Sequence, residues 1–438
     1  MKLSVQHIAL CLAIALGSSM TANAQWLRVW QSGESTRYTQ SEASTIPYTT
    51  AGQTLTIGGD NYSTAEIDSI TIVQPVTITW SDNSASVNIP DNVEGVTASV
   101  SGGNVIINNN NTWSEQEFVL AGTSTAGSLT YNGEYKAKFH LNGVNLTSTT
   151  GAAIDIQCGK RIDVIIEDGT TNTLADFANG DQKAAFNCQG HVEMSGTGSL
   201  TITGKCKHAL RTKEYLFIKK SFGKLTIASA ASDGIHCGEW YQQNGGTVSI
   251  GGTSGDGLQV ETAEASDEEL NGTLIVNGGT LTVNVVTEDT KGIRCDAAAT
   301  NTAIVPKLNI LAGSVTVNVT STASGAKGIA SDGTLTIGST STSPTVNVTV
   351  AAGVYTDPDT EEENRATGIK AETTLTIAGG ATTVSATGSK ARGVRAATLT
   401  ATGGSLTVTN TGTKSQGIKL DNTFVSGQGG TVSGTIKY

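Results

Sequence analysis

One short pattern returns along most of this chain: a small residue, an aliphatic one, a variable polar one and commonly another small one. It reads SDGIHC at 232–237, GDGLQV at 255–260, TKGIRC at 290–295, AKGIAS at 326–331, ATGIKA at 366–371, ARGVRA at 391–396 and SQGIKL at 415–420. Numbered by the small residue, copies fall at Ala185, Ala209, Gly234, Gly257, Gly292, Gly328, Gly368, Gly393 and Gly417, and GAAID adds one at Ala153. From Ala185 the intervals are 24, 25, 23, 35, 36, 40, 25 and 24 residues. A base period of about 24 residues marks a repeat architecture. The three longer intervals place insertions at 261–271, 297–306 and 351–365.

Between copies lie alternating runs such as KLTI, TVSI, TLTV and SLTV, each the pattern of a half-buried strand. Turns of the NGG, AGG and TGG kind separate them, in a chain with 52 glycines and only 6 prolines. About three short strands per repeat, with no six-residue periodicity, predict an all-β right-handed parallel β-helix, a solenoid, over 76–438. The segment 76–90 should cap its first coil, because a solenoid must cover its open end. Residues 25–75 form a small N-terminal β module. Residues 1–24 have the make-up of a secretory signal: Lys2, the apolar run IALCLAIAL and the small-x-small site ANA. No later run is long enough to span a bilayer, so an exported protein is expected, in the periplasm, at the cell surface or outside the cell; it is expected to be a monomer.

Alternation along each copy sends the aliphatic residue and its i+2 neighbour inward and the residue between them outward. The i+2 row reads Cys188, Thr212, Cys237, Val260, Cys295, Ser331, Ala371, Ala396 and Leu420. Cysteines on every second coil are about 9–10 Å apart. That is too far for a disulfide, so buried free thiols are expected.

The outward row reads Asn187, Arg211, His236, Gln259, Arg294, Ala330, Lys370, Arg395 and Lys419. The row before the small residue reads His208, Asp233, Asp256, Lys291, Lys327, Thr367, Arg392 and Gln416. Together they predict a mostly basic stripe on a protein whose net charge is −11. The acidic excess is local, since 261–269 and 357–363 carry five acids each. Net negative charge argues against nucleic acid as partner. The stripe has two readings: a solvated face whose Lys and Arg block lateral pairing, or a platform for an extended anionic polymer such as a polyuronate.

Asp233 and Asp256 fall at the same place on adjacent coils, so their carboxylates are expected about 5 Å apart. Like charges that close favour a cation between them. An oxygen-rich Ca²⁺ site with Glu261 as a further ligand is one reading; two solvated aspartates are the other. In a chain with 5% aromatics, Trp240 and Tyr241 of GEWYQQNGG are the best candidates to stack on a sugar ring, unless one of them fills the core.

The segments GAAIDIQCGKRIDVIIEDGTTNTLADF, QKAAFNCQGHVEMSGTGSLTITGKCKHALRTKEYLFI, SDGIHCGEWYQQNGGTVSI and GDGLQVE resemble exported carbohydrate-binding β-helix proteins of cellulose-degrading clostridia and gut Bacteroidetes. The resemblance spans about Val76 to Gln259 well and continues more loosely to Tyr438. It implies a right-handed parallel β-helix that binds Ca²⁺ and an acidic plant polysaccharide or cellulose. Asp233 and Asp256 match the family's metal ligands, whereas later copies carry Lys, Thr, Arg or Gln there. The expected function is therefore non-catalytic polysaccharide binding, with Arg211, His236, Arg294, Trp240, Tyr241, Lys370 and Arg395 as contacts. Two alternatives stay open. One is a structural adhesin or matrix protein. The other is a Ca²⁺-dependent lyase with Arg211, His236 or Arg294 as base, although no motif fixes a residue in that role.

Overall fold

The computed structural model describes residues 26–32, 34–39, 42–43, 46–49, 53–91, 93–262, 268–297, 303–427 and 429–438. The expected signal segment and the middles of the first two insertions lie outside these residues. Every described element is a strand or turn.

The repeat dictates which strands become neighbours. In one parallel ladder Ile154–Gln157, Ala184–Cys188, His208–Thr212, Ile235–Cys237 and Leu258–Glu261 follow in order. It continues through Lys291–Asp296, Lys327–Ser331 and the openings of Thr367–Ala386, Arg392–Asn410 and Gln416–Ser426. A second ladder runs through Ile162–Ile166, Val192–Ser195, Leu216–Ile218 and Trp240–Gln243. A third runs through Thr171–Ala175, Ser199–Gly204, Lys224–Ala230 and Thr247–Ile250. Inward aliphatics from all three, among them Ile235, Leu258, Ile293, Ile329 and Ile369, form one continuous core.

The expected right-handed β-helix solenoid is corrected by the strand order. The hydrogen-bonded strands from Val76–Ser81 to Ile436–Lys437 close on themselves as a barrel. A repeat of alternating strands specifies neighbours and faces. It specifies neither handedness nor closure, because a closed sheet satisfies the same inside–outside alternation. At the N-terminal end the pairing turns partly antiparallel: Val76–Ser81 with Ser84–Asn88, and Val96–Ser101 with Gly103–Asn109.

The small position of the repeat has a steric cause. A Cβ added at Gly292 would meet the Gly328 carbonyl oxygen at 2.6 Å, Val317 at 2.8 Å and Val285 at 2.9 Å. Gly292→Ala is therefore expected to cost about 1–3 kcal/mol by overpacking, seen as a lower denaturant midpoint at unchanged slope. An unchanged midpoint would show that neighbouring strands yield freely.

Residues N-terminal to the barrel build two three-stranded antiparallel sheets. Their separate core holds Leu27, Val29, Tyr38, Leu55, Ile57 and Tyr62. The module meets the barrel through charge: Arg28 with Glu117 at 2.5 Å, and Arg37 with Glu167 at 3.0 Å.

Candidate functional site

The outward row falls in register as the repeat requires. Asn187 pairs with Arg211, Arg211 with His236, His236 with Gln259 and Gln259 with Arg294. Ala330 then pairs with Lys370, Lys370 with Arg395 and Arg395 with Lys419. Because the strands are parallel and in register, these side chains stand about 4.8 Å apart along the sheet.

The C-terminal end of this row opens into a cleft of about 340 Å³. Lys327, Lys370, Arg392, Arg395 and Lys419 come from the ladder, and Arg365 comes from the insertion at 351–365. That insertion folds as a hairpin of Val354–Thr356 with Glu363–Arg365, which forms one wall. Six cations thus face only two lining carboxylates, Glu363 and Asp421. Arg395 reaches Asp421 at 3.3 Å, and Lys419 reaches the same carboxylate at 3.8 Å. Lys370 pairs with Glu372 beside the cleft. Arg392 donates from Nε to the Gln416 Oε1 at 3.1 Å and has no ion pair among the described residues. Burial, then the positive charges of Arg395 and Arg365, push its guanidinium down to about 10. A cation so disfavoured by its surroundings marks the place where an incoming anion gains most.

The other end of the row is organised differently. Arg211 donates to Asn187 at 3.2 Å, and burial lowers its pKa. Arg294 bridges Asp256 at 3.1 Å and Asp296 at 2.9 Å. Asp256 also accepts the Lys291 backbone N–H at 2.7 Å; burial raises its pKa against the pull of Arg294 and Lys291. Asp233 accepts the Asp256 backbone N–H through Oδ1 at 2.8 Å. Its Oδ2 lies 3.1 Å from His208 Nδ1 and 3.3 Å from His236 Nδ1. Burial alone would raise the pKa of Asp233, but the two imidazoles and the amide hold it far below the usual carboxylate range. Glu261 is 3.9 Å from His236 Nε2. The side-chain donor atoms that lie within 4.8 Å of one another here are those of His208, Asp233 and His236. Asp256 and Glu261 are not in that group. Ca²⁺ takes six to eight oxygen ligands; here one aspartate is engaged by a guanidinium and the other by imidazoles. The donor set does not suit Ca²⁺, and no step below runs through it.

Trp240 and Tyr241 are both buried, Trp240 at 9% exposure, so neither offers an open ring face to a sugar as expected. Tyr241 is fully buried and donates to Gln243 at 3.1 Å, which corrects its expected place on a binding surface. Trp240 stacks on Tyr215 at 3.9 Å, and Tyr215 on His191 at 4.3 Å. This column runs along the second ladder, away from the basic row. Lys327 and Arg392 entered the sequence reading only as members of the neighbouring row. Arg365 was missed altogether, because an insertion carries no repeat signal. Cys158, Cys188, Cys237 and Cys295 are buried free thiols, and burial pushes Cys188 and Cys237 up to about 12.

Among the described residues no helix is long and apolar enough to cross a membrane. A family model described as carbohydrate-binding domain-containing protein matches residues 101–417. No curated protein matches the chain. A solved structure, that of the polysaccharide lyase-like protein from C. thermocellum in a gadolinium derivative, shares 22% identity at a TM-score of 0.43. That match covers 55% of this chain and 91% of the other.

Proposed function

The chain belongs to the carbohydrate-binding domain-containing protein family, and from that premise we propose that it is an exported, non-catalytic binder of an anionic polysaccharide. One observation carries the reading: the basic cleft around Arg392, six cations against two carboxylates on a protein of net charge −11. An extended polymer with a carboxylate on each sugar suits it, because charges stacked at a regular strand spacing meet charges repeated along a chain. Guanidinium groups bind carboxylates through two parallel hydrogen bonds, which adds geometry to charge. A base-catalysed lyase reaction would need a Lys, Arg or His side chain held neutral so that its nitrogen can take a proton. Arg294 is held by two carboxylates instead.

The test is calorimetric titration of residues 25–438 with polygalacturonate, with and without Ca²⁺, alongside an assay for unsaturated or reducing-end products. The expected result is binding without products that weakens as salt rises, since exposed charges are screened within about 10 Å at 0.1 M. Arg392→Ala with Arg395→Ala should weaken it by about a hundredfold or more, each of the two charge-assisted contacts being worth about 1.5–3 kcal/mol. Product formation would overturn the non-catalytic reading. Equal binding by the double variant would remove the cleft as its site.

A further inference from the structure

We infer that His208, Asp233 and His236 form a site for a divalent first-row transition metal of the zinc or cobalt kind. This inference does not depend on the cleft. His208 opens the strand His208–Thr212, His236 lies on the next strand of the same ladder, and Asp233 sits in the turn that leads into it. One ligating atom from each lies within 4.8 Å of the others.

The distances have a coordination meaning. A tetrahedral ion with bonds of about 2.0–2.1 Å spaces its donors about 3.3 Å apart. Asp233 Oδ2 stands 3.1 Å from His208 Nδ1 and 3.3 Å from His236 Nδ1. The two rings stack at 4.7 Å with 24° between their planes, so binding turns one ring about its soft terminal torsion.

An independent observation points to a ligand. His208 is only 5% exposed, and its Nδ1 makes no hydrogen bond. Its 3.1 Å approach to Asp233 has the right length but the wrong line for one. The nitrogen thus faces the carboxylate without an aligned hydrogen bond, and a metal between the two would engage both. The outer partners are also close by. The Asp256 amide holds Asp233 Oδ1, which turns Oδ2 toward the imidazoles. Glu261 lies 3.9 Å from the second nitrogen of His236, one side-chain turn away from the carboxylate–imidazole hydrogen bond that orients metal-binding histidines. Gln259 Oε1 lies 3.1 Å from His236 Nδ1, at hand for the fourth position that water would otherwise take. Two imidazoles select zinc, cobalt, nickel or copper over calcium.

The experiment uses residues 25–438 without an added histidine tag, stripped with chelator and titrated with Co²⁺ at pH 7.5. Visible d–d absorption reports tetrahedral coordination, and calorimetry with Zn²⁺ gives affinity. One equivalent should bind and should resist millimolar Ca²⁺. His236→Gln should weaken it by more than the about 10–100-fold that loss of an outer-shell partner costs. His208→Asn should do the same, with circular dichroism confirming the fold of both. Absence of a Co²⁺ spectrum, binding that survives both substitutions, or displacement by Ca²⁺ would each overturn the inference.

Discussion

Phe139→Ala is expected to lower the unfolding free energy by about 3–5 kcal/mol, the cost of removing a buried aromatic ring. The position is chosen for what surrounds it. Phe139 stacks on Phe118 at 5.0 Å and 14°, and meets Tyr131 edge-on at 5.1 Å and 83°. Phe118 and Tyr131 close the triangle at 5.3 Å. All three are at most 2% exposed, and Asn109 donates to the Tyr131 hydroxyl at 2.9 Å. Phe118 and Phe139 are register partners, and Phe118 pairs on its other side with Val76. The cluster therefore fills the barrel where its pairing changes from antiparallel to parallel. Further along, aliphatics dominate the interior, with Phe186 and Tyr241 among them, and neighbours held in rigid ladders cannot collapse into a ring-sized void. A shift of denaturant midpoint matching the full cost at unchanged slope is the expected record. A loss below about 1 kcal/mol would mean that the first strands repack.

Much of this arrangement was legible before any coordinates, and the reason is the period. When strands repeat at a fixed interval, alternation decides which residues line up and on which face. Asn187 through Lys419 could thus be written as one row, and Cys188, Cys237 and Cys295 as buried thiols. Closure was not legible, because it depends on how the first and last strands meet rather than on any local pattern. The cleft was half legible. Lys370 and Arg395 belong to the row, but Arg365 reaches it on a hairpin whose path no periodicity encodes. The His208–Asp233–His236 cluster was hidden for another reason. Asp233 and Asp256 occupy equivalent positions, yet each carboxylate turns toward the backbone N–H of the following copy, at Asp256 and Lys291. Equivalent sequence positions thus place the two carboxylates one after the other along the ladder instead of across one shared cation.

The charges that hold the N-terminal module set the other large effect. Glu117 is 7% exposed and accepts from Arg28 at 2.5 Å, while its Oε2 lies 3.2 Å from His140 Nε2. His140 is fully buried, and its Nδ1 faces Glu167 at 2.7 Å. Glu167 in turn takes both terminal nitrogens of Arg37 at 3.0 Å. Removing the Glu117 carboxylate breaks a buried ion pair with Arg28, which costs about 3–5 kcal/mol. Glu117→Ala should therefore be far more damaging than Glu117→Leu combined with Arg28→Met, in which an apolar pair replaces the ionic one. Hydrogen exchange on Trp26–Gln31 would show whether the loss falls on the module's seat. Acid should act on the same contact. Burial works to raise the pKa of Glu167, but His140 and Arg37 outweigh it and hold the carboxyl down to about 2, against 4.5 for a free one. A lowered folded pKa gives stability that is complete above about pH 4.5 and is lost as pH falls toward 2. Exchange protection of the module's strands should decline through that window in the native chain and decline less in Glu167→Gln. Equal acid sensitivity in the two proteins would place the titrating group elsewhere.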